Sequence, residues 1–334
     1  MTMSTTMPIA SRRAFVGVGS GVVAAALSAS ARGARAPGLP ASPGEALAET
    51  RYRTIDVGGL AIFYREAGPT EAPVVLLLHG FPTSSRMFRN LIPMLADKYR
   101  VIAPDYPAFG HSAVPSRAEF QYTHAHLSQV MEALLEKLGI TRFAMYVMDF
   151  GGPIGYRLML KYPDRVSSVV VQNTPAFGEP INGPIWEAEL AYWKDGSPAH
   201  RDAVRSKLTP DAVRNQYVAG TRDPSLIDPD NWTIDSALLA RPGVDEIMLD
   251  LLYDIRNNRQ TVADARQFFK THQRQVMIAT GVNDPLFPGV SMKPPADMPE
   301  IEFHSIDSGH FALEDHCAEI GRLTRGFLAR VMPA

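Results

Sequence analysis

In the stretch Met145 to Gly155, MYVMDFGGPIG, an apolar run ends in one acid and is followed by two glycines and a proline. This reads as a buried strand turning sharply into a helix, with Asp149 at the tip, where the nucleophile elbow G-x-S-x-G carries a serine. A carboxylate is already anionic near neutral pH, so it can attack a saturated carbon without a base to activate it. Three further groups stand after other apolar runs: His79-Gly80-Phe81-Pro82 after PVVLLL, Asp284 in GVNDPLFP after QVMIATG, and His310 in GHF after IEFHSID. Nucleophile, acid and histidine then follow one another in the chain order of a hydrolytic triad with aspartate in place of serine. A histidine oriented by a carboxylate can take a proton from water, and the water can release whatever the nucleophile has captured. Asp149 also has a structural reading as a helix N-cap, and Asp284 before Pro285 as a turn initiator. The elbow glycines, and matching partners at separate strand ends, favour chemistry.

Positioning these groups requires strands and helices in alternation. YRTIDVGG and LAIFYREAG alternate apolar and polar residues and meet at Gly58-Gly59, a hairpin signal. PVVLLLHG is a continuous apolar run, as expected of a strand buried on both faces. SRMFRNLIPMLADKY then has helical spacing, with Ser84 or Ser85 available as cap. RVIAPDYPAFGHS is a further strand, HLSQVMEALLEKLG an amphipathic helix closed by Gly139, RFAMYVMD a strand, GGPIGYRLMLKYP a helix, and VSSVVVQN a strand. After Asn173 the rhythm breaks: residues 174–262 contain Trp186, Trp193 and Trp232, many prolines and several helical patterns, but no long buried strand. It resumes with QVMIATG and IEFHSID and ends on a helix from about Leu313 to Val331. A mostly parallel, doubly wound sheet with a helical insertion after the sixth strand accounts for this pattern. The expected division is core over 50–173, cap over 174–262 and core again over 263–334. Active sites of open α/β sheets lie at the carboxyl ends of the strands, which is where the candidate groups fall.

The chain has 334 residues, 46% of them hydrophobic, and a formal net charge of -2. That near-neutral balance gives no electrostatic reason to expect nucleic acid or an anionic membrane as partner; a small-molecule substrate is expected, with no metal or cofactor. The single cysteine, Cys317, excludes an intramolecular disulfide and reads as a small core residue. Near the start, Arg12-Arg13 precede an uncharged run rich in Gly and Ala from Ala14 to Ala31, ending in the small-residue sequence ASA. This resembles a twin-arginine export signal, and so many small residues make a poor membrane span. Residues 1–31 are therefore read as a signal and 32–49 as a linker, with the protein expected in the periplasm.

Taken together, LLLHGFPTSSRMFRNLIPML, VIAPDYPAFGHS, VMDFGGPIG, GVNDPLFP and GHFALE resemble the α/β-hydrolase subgroup that contains epoxide hydrolases and haloalkane dehalogenases. The resemblance covers the core on both sides of the insertion, about two-thirds of the chain. It implies an α/β-hydrolase fold in which attack by Asp149 on an epoxide or carbon–halogen carbon gives an alkyl ester. His310, oriented by Asp284, then directs water at that ester. It also implies an oxyanion hole from the backbone N–H groups of Phe81 and Phe150, each donor worth roughly 3 kcal/mol. Gly80, Pro82 and Gly151 shape the loops around it, and His79 is read as structural, bonding loop backbone. Asn173 ends the sixth strand, where some dehalogenases carry a glutamate; an amide cannot serve as that acid, which favours Asp284. Arg117, His124 and His126 read as surface or loop residues.

The leaving group separates the two chemistries. Dehalogenases hold a halide with side-chain N–H donors, commonly a tryptophan directly after the nucleophile and an Asn or Trp elsewhere. Here Phe150 and Phe81 stand at those positions, and neither has a polar hydrogen. Epoxide hydrolases protonate the ring oxygen with two cap tyrosines, for which Tyr217 and Tyr192 lead and Tyr253 is third. An epoxide hydrolase-like reaction on a small apolar substrate is therefore expected. The alternatives are dehalogenation, an esterase- or lyase-like branch with Asp149 as base, and a noncatalytic binding protein, the last opposed by the intact Asp149–Asp284–His310 set. The export reading makes its own prediction: changing Arg12 and Arg13 both to lysine leaves the chain in the cytoplasm as an uncleaved precursor. Fractionation with immunoblotting checks this, and normal periplasmic processing of the double variant refutes it.

Overall fold

The computed structural model describes residues 49–178, 181–288 and 292–332. The signal read at 1–31, and all of the linker but its last residue, lie outside them. Eight strands form one sheet: β1 (Arg51–Val57), β2 (Leu60–Ala67), β3 (Val74–Leu78), β4 (Arg100–Pro104), β5 (Phe143–Met148), β6 (Val166–Gln172), β7 (Val276–Gly281) and β8 (Glu302–Ile306). Their order is β1-β2-β4-β3-β5-β6-β7-β8. β2 runs antiparallel to β1 and β4, and all other pairs are parallel. Gly58 and Gly59 both take positive φ, 62° and 88°, the backbone that a tight hairpin turn with native twist requires. β3, β5, β6 and β7 are buried along their whole length, which is why β3 and β5 read as unbroken apolar runs, while β6 also buries Ser167, Ser168 and Gln172.

Helices α1 (Ile92–Leu95) and α10 (Cys317–Val331) pack together on the sheet, and α2 (His124–Lys137), α3 (Gly151–Lys161) and α9 (Arg259–Thr271) form a second packed group. Between β6 and α9 the insertion contributes α4 (Glu187–Asp195), α5 (Pro198–Val204), α6 (Pro210–Val218), α7 (Asp230–Leu239) and α8 (Val244–Asp254). Because β4 lies on one side of β3 and β5 on the other, the chain changes winding direction there. The loops leaving β3 and β5 consequently open a crevice at their carboxyl ends.

Three expectations about boundaries change. The helix expected over SRMFRNLIPMLADKY is a 3-10 turn, Ser85–Phe88, followed by the short α1. Pro93 has no N–H to carry a helix through this stretch and sits instead in the first turn of α1. The last helix starts at Cys317, after turns through Phe311 to His316, and not near Leu313. The boundary expected at 262 falls inside α9, whose Phe269 packs edge-on against Tyr156 of α3, so this helix already belongs with the core. Among the described residues no helix is long and apolar enough to cross a membrane.

The elbow is tight enough to test by substitution. A Cβ on Gly151 would be driven into the carbonyl oxygen of Leu78, whereas one on Gly326 in α10 would meet only the tip of Arg330. Gly151→Ala is expected to cost roughly 1–3 kcal/mol, lowering the thermal midpoint by a few degrees. Gly326→Ala, in a helix interior, should raise it. Thermal unfolding of the two variants side by side checks the opposite signs.

Candidate active site

Asp149 follows β5 directly and has φ 49°, a left-handed backbone that non-glycine residues rarely adopt. The loops hold it there. Its carbonyl oxygen accepts hydrogen bonds from the Thr174 hydroxyl (2.9 Å) and the Gly152 N–H (2.9 Å). The absent side chain of Gly80 lets the loop after β3 lie against Asp149, where any Cβ would collide with the carboxylate. The Phe81 N–H donates to Asp149 Oδ1 at 2.7 Å, and the Phe150 N–H also bonds the carboxylate. Burial pushes the Asp149 carboxyl above its ordinary range. The charge of His310 and the two N–H groups oppose that shift.

His310 is fully buried, with Nδ1 2.8 Å from Asp284 Oδ2 and Nε2 3.8 Å from Asp149 Oδ2. The carboxylate at Nδ1 fixes the proton there in the neutral ring, so the lone pair lies on Nε2. That Nε2 is buried and has no hydrogen-bond partner. Burial lowers the imidazole pKa, but the charge and hydrogen bond of Asp284, with Asp149 added, outweigh it and hold the ring above its usual value. Asp284 is itself positioned: its Oδ2 also accepts from Asn173 Nδ2 (2.8 Å) and its Oδ1 from the Leu286 N–H (2.7 Å). Asn173, φ 42°, anchors to the end of β7 by accepting the Gly281 N–H (3.0 Å). The sequence gives Asn173 no task beyond not being the acid; the structure makes it a bracket that holds the acid.

His79 is completely buried. Nδ1 donates to the Gly80 carbonyl (2.9 Å), Nε2 accepts from the Tyr106 N–H (3.4 Å), and the Tyr106 hydroxyl donates to the His79 carbonyl (3.0 Å). Burial pushes this imidazole down to about 4, so it is neutral and ties the Gly80–Pro82 loop to the turn after β4. The Phe81–Pro82 peptide is cis.

The structure separates the three cap tyrosines. Tyr217 of α6 stacks on Phe311, ring centroids 4.1 Å apart, beside His310. Its hydroxyl donates to Asp235 Oδ2 of α7 at 2.5 Å. Tyr192 instead accepts from Arg201 (2.8 Å) and packs at a tilt against Tyr253, whose ring is covered by Arg256. Both belong to a charged face where Arg201 also binds Glu246 and Asp250, and among the described residues no hydrogen bond or ring contact joins either to Asp149, His310 or Asp284. The amphipathic character of α4 and α8 does not reveal which side of the cap faces the core. Trp186 and Trp193 donate their indole N–H groups to the carbonyls of Leu286 (3.1 Å) and Leu252 (2.8 Å).

A second correction concerns His124. It is fully buried and not a surface residue: Nδ1 is 2.9 Å and the backbone N–H 2.7 Å from Asp254 Oδ2, and its ring meets Phe150 edge-on. Asp254 lies 130 residues further along the chain, so nothing near His124 in sequence announces the pair. Arg117 is exposed and pairs with Asp250, while His126 stacks on Phe120.

The electrostatics predict that Asp284→Asn will lower the His310 pKa below the ordinary 6.5, because it removes the largest raising influences and leaves burial in place. A proton NMR titration of the ring checks this. An unchanged value would assign the shift to Asp149 alone.

Comparison with known proteins agrees with this geometry. The family model for the alpha/beta hydrolase fold matches residues 73–316. A Saccharomyces cerevisiae protein named as an uncharacterized hydrolase is 38% identical over 275 residues, 81% of this chain and 94% of its own. A Bradyrhizobium diazoefficiens haloalkane dehalogenase is 33% identical over 48% of this chain and 51% of its own length. The chain thus spans about half of that relative. Among solved structures, Cfl2 from Burkholderia cenocepacia superposes with TM-score 0.67 at 19% identity, covering 85% of this chain and 97% of its own. The epoxide hydrolase CorEH superposes with TM-score 0.61 at 19% identity, covering 84% and 99%. With the eight-stranded sheet, the elbow and the matched span in agreement, the chain belongs to the α/β-hydrolase fold family.

Proposed function

We propose that this hydrolase opens small apolar epoxides through a covalent ester on Asp149. The observation that carries the reading is the placement of His310 Nε2, 3.8 Å from Asp149 Oδ2 and without a hydrogen bond of its own, while Asp284 holds the opposite ring nitrogen. An attacking carboxylate oxygen forms the C–O bond as the epoxide C–O bond breaks, and the released oxygen takes a proton from a cap tyrosine hydroxyl, that of Tyr217. Water then adds to the ester carbonyl. His310 Nε2 accepts its proton, and the Phe81 and Phe150 N–H groups stabilise the negative oxygen. As the intermediate collapses, the diol oxygen leaves with the proton from His310, and Asp149 is regenerated.

The local donors support oxygen as the leaving atom. Phe81 and Phe150 offer only rings at the side of the nucleophile, their centroids 5.6 Å apart, and the N–H groups of Trp186 and Trp193 are already bonded to carbonyls. A halide leaving group is the second reading, favoured by the dehalogenase relatives and opposed by the Phe81 and Phe150 side chains, which carry no polar hydrogen, and by the commitment of the Trp186 and Trp193 N–H groups to backbone carbonyls. The twin arginines extend the proposal to an exported, periplasmic enzyme.

His310→Gln should still permit alkylation of Asp149 but stall hydrolysis, because only the second step needs the base. Mass spectrometry after incubation with a terminal alkyl epoxide should find the adduct on the Asp149 peptide. A single wild-type turnover in heavy-oxygen water should label the Asp149 carboxylate and leave the diol unlabelled. Unmodified His310→Gln with unchanged turnover, or label in the product, refutes the mechanism. Halide release from a bromoalkane without diol from any epoxide selects the second reading.

A further inference from the structure

We propose that Asp235 is the proton reserve behind Tyr217. In its acid form it donates to the phenolic oxygen and frees the Tyr217 proton for the oxygen released when an epoxide opens. This rests on the oxygen-leaving-group reading above and deepens it. Asp235 is 1% exposed, and its Oδ2 lies 2.5 Å from the Tyr217 hydroxyl. Tyr217 stacks on Phe311, the residue after His310, and both members of the pair meet the Thr83 side chain, two residues beyond Phe81. The pair therefore sits between the loop of the oxyanion donors and the base.

Among the described residues, no cation neutralises Asp235 by direct contact. Arg86, the guanidinium that faces it, donates to Asn231 at 2.5 Å and lies 3.7 Å from Asp228. From the turn before α10, Glu314 adds like charge, itself held by Arg89 and Asn231. Burial consequently raises the Asp235 carboxyl to about 7, reinforced by Glu314 and opposed by Tyr217, Arg86 and Thr83. A phenol has one proton. With Asp235 ionised, that proton is bound to the carboxylate; with Asp235 protonated, the carboxyl proton moves to the Tyr217 oxygen as the phenolic proton moves to the substrate. Asp235 is left as the carboxylate and is recharged by the proton that Asp149 sheds when the ester is hydrolysed. A departing halide takes no proton, so the device serves oxygen leaving groups only. Asp235 touches no substrate in this scheme; it is a positioning residue.

The test follows Asp149 alkylation by a terminal alkyl epoxide in single turnovers across pH on both sides of 7, using the full chain. In the wild type the rate should fall about tenfold per pH unit above the Asp235 titration. In Asp235→Asn, whose amide donates to Tyr217 at every pH, that limb should vanish, and Tyr217→Phe should be slow throughout. Infrared difference spectra should show a protonated carboxyl band that titrates near the same pH and is missing from folded Asp235→Asn. The same falling limb in Asp235→Asn, or no titrating band, overturns the proposal. If the wild type opens no epoxide, the oxygen-leaving reading itself fails and the proposal falls with it; the band then still shows whether Asp235 holds a proton.

Discussion

Keeping one carboxylate charged while taking it out of water is the constraint from which the rest of this structure follows. Moving an ion of that size into a protein interior costs several kcal/mol even after relaxation, and Asp149 is largely buried. Direct hydrogen bonds from the Phe81 and Phe150 N–H groups, and the positive potential of His310, offset that cost. In the proposed mechanism full neutralisation would be as damaging as none, because a tightly paired carboxylate is a poor nucleophile. The 3.8 Å separation from His310 Nε2 is too long for a hydrogen bond and close enough for charge to be felt.

Holding that compromise requires strained backbone in two places. Asp149 and Asn173 are two of the three non-glycine residues with positive φ among the described residues, a conformation that costs about 1–2 kcal/mol each. Both end adjacent parallel strands, β5 and β6, and each is fixed by bonds from the neighbouring segment: Thr174 and Gly152 to the Asp149 carbonyl, Gly281 to the Asn173 amide. The strain is supported by the rigid centre of the sheet, and it aims one side chain toward His310 and the other at Asp284.

The cap is attached through buried and half-buried polar links of long sequence separation. Arg86 to Asn231 spans 145 residues, Asn231 to Glu314 spans 83, and His124 to Asp254 spans 130. Each joins the insertion to a loop or helix start next to the site, beside the Phe81 loop in one case and Phe150 in another. Such links make the position of the cap sensitive to single side chains, since removing one partner leaves the other buried and unsatisfied. They also hold the helical insertion so that Tyr217 stays against Phe311.

Much of the core was legible because its determinants are local. Strands buried on both faces are predominantly apolar, so β3, β5 and β7 could be read directly, and the elbow residues Asp149, Gly151 and Gly152 are dictated by one sharp turn. The three site groups Asp149, Asp284 and His310 followed from their places at strand ends, since the sheet's topology brings those ends together. The sequence by itself thus determined the fold and the three converging groups. Tertiary structure alone decided which cap tyrosine stacks on Phe311 beside His310, that His124 is buried against Asp254, that Asn173 holds Asp284, and that Asp235 stands behind Tyr217. Those facts depend on side chains more than a hundred residues apart, or on which face of an amphipathic cap helix turns inward. Periodicity records that a helix has a buried side; only packing determines what lies against it.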